Sequence, residues 1–86
     1  MVLPTSYILI NSDLGTDESI IEIIKGMLTG ESAFQYEIQG VYGVYDIVLK
    51  LSSDDIDTLR STITNKIRKI TTVQSTLTMM VIEGQE

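Results

Sequence analysis

The chain has 86 residues, with twelve acids against six bases and neither histidine nor cysteine. A net charge of −6 works against a phosphate-binding surface, since nucleic-acid affinity is carried by cations that displace counterions. The missing residue types exclude disulfides, thiolate chemistry and the usual transition-metal ligands, and the short apolar runs exclude a signal peptide or membrane span, so one cytoplasmic domain is expected.

Ser6 to Asn11 (SYILIN) reads as a buried strand, ended by the turn cluster Ser12, Asp13, Leu14, Gly15. Thr16 or Asp17 then caps a helix with an acidic first turn and with Ile20, Ile21, Ile24, Met27 and Leu28 on one face, stopping near Thr29 and Gly30. Residues 33–52 read as a β-hairpin. In its first strand Phe34, Tyr36 and Ile38 alternate with Gln35, Glu37 and Gln39; Gly40 to Gly43 make a tight turn, and Val44 to Leu51 return. Ser52 or Ser53 opens a second helix with Ile56, Leu59, Ile63 and Ile67 as its stripe, and TTVQSTLTMMVIE reads as a last strand.

The order is βαββαβ, the α+β ferredoxin-like sandwich: a four-stranded antiparallel sheet, first and third strands central, with two helices on one face. The first strand is apolar on both sides (Tyr7 and Leu9 against Ile8 and Ile10), and the last offers Leu77, Met79 and Val81 against Thr78, Met80 and Ile82, so both faces read as covered. Met79 and Met80 read as core. A domain of this length buries only about 60% of its unfolded surface, so the second face is expected to be covered by the same sheet of another chain, giving a dimer.

Two stretches invite a functional reading. In Val41-Tyr42-Gly43-Val44-Tyr45-Asp46 glycine serves the turn and the tyrosines suit a strand, but Asp46, an acid at the mouth of a central strand, wants a partner such as an ammonium group or a neighbouring chain's donor. In Gln74-Ser75-Thr76-Leu77-Thr78, Thr suits a strand sterically, while the hydroxyls and the amide offer uncharged hydrogen bonds. An acid, turn N–H groups and hydroxyls together suit a zwitterion such as a free amino acid. The acids Asp54, Asp55 and Asp57 are better explained by the start of a helix than by a metal, since the glycine and bidentate glutamate of a calcium loop are absent.

At VYGVYDIVLKL, and again at NKIRKITTVQSTLTMMVI, the chain resembles the effector domain of the Lrp/AsnC family, the RAM domain, over residues 5–83. The G-x-Y-D element and the V-x-S-T-L-T strand carry the resemblance. It implies the same βαββαβ fold, homodimers packed sheet to sheet, rings of dimers that are often octameric, and an amino-acid effector held between dimers beside the turn that joins the second and third strands. Carried over by motif, the positions are Gly43, Tyr45 and Asp46 with Ser75, Thr76 and Thr78, and the expected ligand-binding set adds their neighbours Val41, Tyr42, Val44 and Gln74. Asp46 would meet the ammonium, the backbone at Gly43 and Val44 the carboxylate, and Tyr42 or Tyr45 the side chain. The family's regulators usually carry a helix-turn-helix, and only about five residues precede the first strand here. The expectation is a stand-alone amino-acid-sensing domain that modulates full-length relatives by assembly, without cofactor, catalysis or direct contact with nucleic acid. The rival expectations are a ligand-free assembly module and, from another class, a small ferredoxin-like enzyme. The enzyme is disfavoured because its pocket would need His, Arg or paired acids inside the sheet, and this chain has no His while its mid-chain Arg60 falls in a helix pattern.

Overall fold

Alternating β-branched and polar residues, and two stripes of isoleucine at helical spacing, dictate the secondary structure of a computed structural model that describes residues 4–29 and 34–82. Its elements are β1 (Thr5–Ser12), α1 (Asp17–Leu28), β2 (Phe34–Gly40), β3 (Ile47–Ser53), α2 (Ile56–Arg68) and β4 (Val73–Met80). The strands form one antiparallel sheet in the order β2-β3-β1-β4, with β1 and β3 central as expected. Gly30 and Ala33, at the expected end of the first helix and start of the hairpin, lie outside the described residues.

The core lies between the helices and one face of this sheet. Ile8 and Ile10 of β1 and Ile47, Leu49 and Leu51 of β3 are fully buried there, beneath Ile20, Ile24 and Leu28 of α1 and Ile63 and Ile67 of α2. Strand register puts Ile38, Leu49, Ile8 and Thr78 in one row across the sheet. Ser6, buried in the same β1 series, is satisfied by donating to the Met79 carbonyl at 3.2 Å. Helix α1 starts with Asp17 and Glu18 and carries Lys25 in its last turn, matching the helix dipole at both ends. Before it, Thr16 donates its hydroxyl to the Asp13 carbonyl at 2.7 Å, which shapes the entry turn.

Three expectations are corrected. Ser52 and Ser53 belong to β3, and α2 begins two residues after Asp54 with Asp55 as its N-cap. The strand wins because Ser53 is held by backbone pairing, its N–H donating to the Pro4 carbonyl at 3.0 Å. The hairpin connection is the longer loop 41–46, with Gly40 still in β2 and β3 starting only at Ile47. Met79 and Met80 are not core in the protomer, being 45% and 43% exposed, because β4 is an edge strand.

The face away from the helices is ordered in rows. Gln39, Val48, Leu9 and Leu77 form one row, and Glu37, Lys50, Tyr7 and Met79 the next. Its apolar residues concentrate toward β1 and β4, where Leu77 is 44% exposed, while β2 contributes only polar side chains. Lys50 and Glu37 approach to 4.0 Å, a solvent-exposed pair that contributes little.

Candidate functional site

The loop 41–46 is pinned at both ends by backbone bonds. The Val41 N–H donates to the Asp46 carbonyl at 2.8 Å, and the Asp46 N–H donates to the Ile10 carbonyl at 3.0 Å. Between these anchors the chain bulges into solvent, with Tyr42 and Val44 fully or largely exposed. Gly43 has φ +145°, a conformation that other residues rarely adopt, and a Cβ there would meet nothing within 4 Å. Gly43→Ala is therefore expected to destabilise through backbone strain alone, by about 1–3 kcal/mol; an unchanged midpoint in urea unfolding would show that the loop relaxes at no cost.

Asp46 has its partner inside the chain. Its Oδ2 accepts from the Ser12 N–H at 2.9 Å and from the Ser12 hydroxyl at 3.4 Å. Even-numbered residues of β1 turn their backbone groups to β3, as the bonds from Asp46 N–H to the Ile10 carbonyl and from Ser53 N–H to the Pro4 carbonyl show, and pairing with β3 ends at Ile10 and Ile47, which leaves the Ser12 N–H beyond the ladder. The carboxylate satisfies that N–H with a charge-assisted bond. Among the described residues only Oδ2 is so engaged.

The candidates on β4 begin at the same end of the sheet, since Ile10 is in register with both Ile47 and Thr76. With β1 between them, β3 and β4 stand on the order of 10 Å apart, from a strand spacing of about 4.8 Å. The β4 candidates divide by face. Ser75 lies opposite Asn11, whose amide donates to its hydroxyl at 3.3 Å, and the Gln74 amide donates to Asp13 Oδ1 at 2.9 Å. Thr76 and Thr78 share rows with Ile10 and Ile8 and so face the helices; Thr76 accepts from Arg68 Nε at 3.3 Å. The turn and the Gln74–Ser75 pair thus gather around the end of β1, while Thr76 and Thr78 open elsewhere.

Two clefts were missed by sequence reasoning. One, of about 690 Å³, runs from Lys25 past the β2 residues Tyr36 to Gln39 onto the open sheet face at Tyr7, Val48 and Lys50, and of the candidate residues only Val41 lines it. The other, of about 360 Å³, runs between α2 and β4 and is lined by Ser61, Thr64, Asn65 and Arg68 together with Thr76 and Thr78. Its helical residues recur at three, four and seven positions, a signal that a solvent-facing helix surface gives equally well. Among the described residues no three of His, Cys, Asp and Glu are grouped to hold a metal, and no helix is long and apolar enough to cross a membrane.

No family model matches the chain, and no curated protein sequence matches it. Solved structures do. The structure titled FFRP-DM1 is 31% identical with a TM-score of 0.72, over 93% of this chain and 100% of that one. The hypothetical protein PHS023 from Pyrococcus horikoshii is also 31% identical, with a TM-score of 0.71 over 93% of this chain and 90% of that one. E. coli AsnC is 25% identical with a TM-score of 0.61, over 93% of this chain but only 51% of its own length. Sheet order, helix placement and these neighbours define a ferredoxin-like, regulator-related domain. The chain belongs to the Lrp/AsnC family and corresponds to its effector domain.

Proposed function

We propose that this is a cytoplasmic amino-acid-sensing domain, dimeric through its open sheet face, which binds an amino acid between dimers and modulates DNA-binding relatives by joining their assemblies. The observation that carries the reading is the end of the sheet. There the solvent-exposed loop 41–46, the half-buried Asp46 carboxylate and the polar side chains of Gln74 and Ser75 meet around the last residues of β1. Asp46 offers Oδ1 to the ammonium, and the loop N–H groups near Gly43 offer themselves to the carboxylate. Tyr42 and Tyr45 flank the side chain. A second dimer completes the pocket, and closed rings of dimers, octamers among them, present such pockets repeatedly. Acid excess leaves DNA contact to the partner.

The internal Ser12 bond favours a second reading, an assembly module without ligand, in which Asp46 serves only to cap the end of β1. Asp46→Asn separates the two, because an amide oxygen still accepts from Ser12 while the charge is gone. Thermal unfolding is measured against the twenty amino acids. A ligand present at 100 times its Kd adds about 2.7 kcal/mol to apparent stability. The expected result is a shift with a few amino acids in the wild type and none with Asp46→Asn, whose own melting temperature stays close to wild type. Wild-type protein that is assembled yet unmoved by every amino acid would establish the ligand-free module.

A further inference from the structure

The sheet end that carries loop 41–46 also carries two helix ends of opposite charge. The turns after β1 and before β4 are tied together there, the Asp13 N–H donating to the Thr72 carbonyl at 2.8 Å, and the Ser12–Asp46 bond ties the first of them to loop 41–46. Helix α1 starts and α2 stops at this end. Because α1 rests over β2 and α2 over β1, β3 and β4, the charges fall on separate flanks. On the β2 flank stand Asp17 and Glu18, with Asp17 Oδ2 close to Gly40 at the end of β2. On the β4 flank stand Lys66, Arg68 and Lys69, all exposed, with Arg68 turned to Thr76. Among the described residues none of these five side chains has an ion-pair partner within the chain. Between the flanks project apolar tips: Leu14 and Tyr42 are fully exposed, and Val44 largely so.

Matching the helix dipoles explains the sign of these charges, but it does not explain three large apolar side chains held in water on loops that are tied together. A surface with acids on one flank, bases on the other and apolar tips between them is complementary to its own copy. A twofold axis lying in the contact plane and passing between the flanks sets acids against bases twice and tips against tips. No other class of partner fits the whole surface, since a polyanion would meet the acids and a polycation the bases. In chains that each carry −6, the end holding three of the six bases is also where two copies meet with attraction instead of repulsion. We infer that this sheet end is a self-complementary docking surface for a second copy of the chain. Asp17 and Glu18 of one protomer meet Lys66 and Lys69 of the next, and Leu14, Tyr42 and Val44 are buried between them. This rests on the reading in which a second dimer completes the pocket, and it names the surface by which that dimer arrives. Each contact is small, so it holds only where dimers make more than one at once. Joining of dimers is therefore weakened by salt, unlike the apolar pairing of sheet to sheet.

Sedimentation velocity of the full chain without amino acid tests this, using two charge reversals: Asp17→Lys with Glu18→Lys, and Lys66→Glu with Lys69→Glu. Wild type is expected to run as assemblies of dimers at low salt and to fall toward the dimer at about 1 M salt, where charges are screened beyond about 3 Å. Each reversed variant alone should stop at the dimer, since both of its flanks carry one sign. Mixed in equal amounts the two should assemble again, because every contact then pairs opposite flanks; a variant that had merely lost its fold could not be restored this way. Leu14→Ser with Val44→Ser, both at exposed tips, should weaken assembly about tenfold or more at an unchanged melting temperature. The inference is overturned if wild type never exceeds a dimer, if the reversed variants assemble alone as wild type does, or if their mixture stays at the dimer. Melting of the same samples with amino acids reads the sensing proposal separately. Assemblies restored by mixing but unmoved by every amino acid would end that proposal alone, and an amino-acid shift in assemblies indifferent to charge reversal would end this one alone.

Discussion

Leu49→Ala is expected to cost about 2–5 kcal/mol and to leave little folded protein at 37 °C. Leu49 is fully buried on a central strand, flanked in its row by Ile8 and Ile38, and the helical isoleucines close over it. Truncation removes the transfer free energy of three carbon groups and leaves a cavity that two paired neighbouring strands cannot collapse to fill. For a domain with a total stability of about 5–15 kcal/mol, and in the lower part of that range at this size, this is a large fraction. Urea unfolding followed by circular dichroism gives the number. A loss below about 1 kcal/mol would mean that the core repacks freely.

Leu77→Asp is expected to do the opposite kind of damage, leaving the protomer folded and abolishing its self-association. The residue is 44% exposed on the open face, next to Leu9 in its row and close to Met79 and Val81, so a carboxylate there remains solvated in a single chain. In the proposed sheet-to-sheet dimer the same carboxylate would be buried twice, once from each subunit, in chains that already carry a charge of −6. Losing one buried leucine contact costs about 1.5–3 kcal/mol. With the desolvation of a charge added, the dimerisation constant should weaken roughly 100-fold or more. Sedimentation equilibrium at micromolar concentration reads this directly. An unchanged mass, with the far-ultraviolet spectrum of the wild type, would rule out this face as the dimer interface.

The two substitutions differ because the two faces of the sheet differ, and this was only partly legible from sequence. The alternation of Ile8 and Ile10 with Tyr7 and Leu9 announced a strand with two non-solvated faces, and the isoleucine stripes showed how one face is covered. Met79 and Met80 were misread because adjacent positions in a strand point to opposite faces, and on an edge strand neither face is fully covered by the chain itself. The start of α2 was misread because Ser-Asp-Asp satisfies capping chemistry at several offsets, and tertiary pairing of Ser53 with Pro4 chose among them.

The site follows the same division. Local chemistry marked loop 41–46 as unusual, and Gly43 does take the backbone conformation that only glycine adopts freely. The partner of Asp46 was invisible in the sequence, since Ser12 is 34 residues away and its N–H is available only because the pairing of β1 with β3 ends two residues earlier, at Ile10 and Ile47. The cleft between α2 and β4 was hidden for a related reason. Ser61, Thr64, Asn65 and Arg68 look like any solvated helix surface until Thr76 and Thr78 are seen to face them.

By itself, then, the sequence determined the order and type of the six elements, the isoleucine core and the family resemblance, because these rest on periodicity and turn chemistry over a few residues. The tertiary structure decided which carboxylate is held and by what, which face stays apolar and open, and where hydroxyls from a helix and an edge strand converge. Those outcomes depend on strand order and register, which bring residues tens of positions apart into contact and which no local pattern encodes.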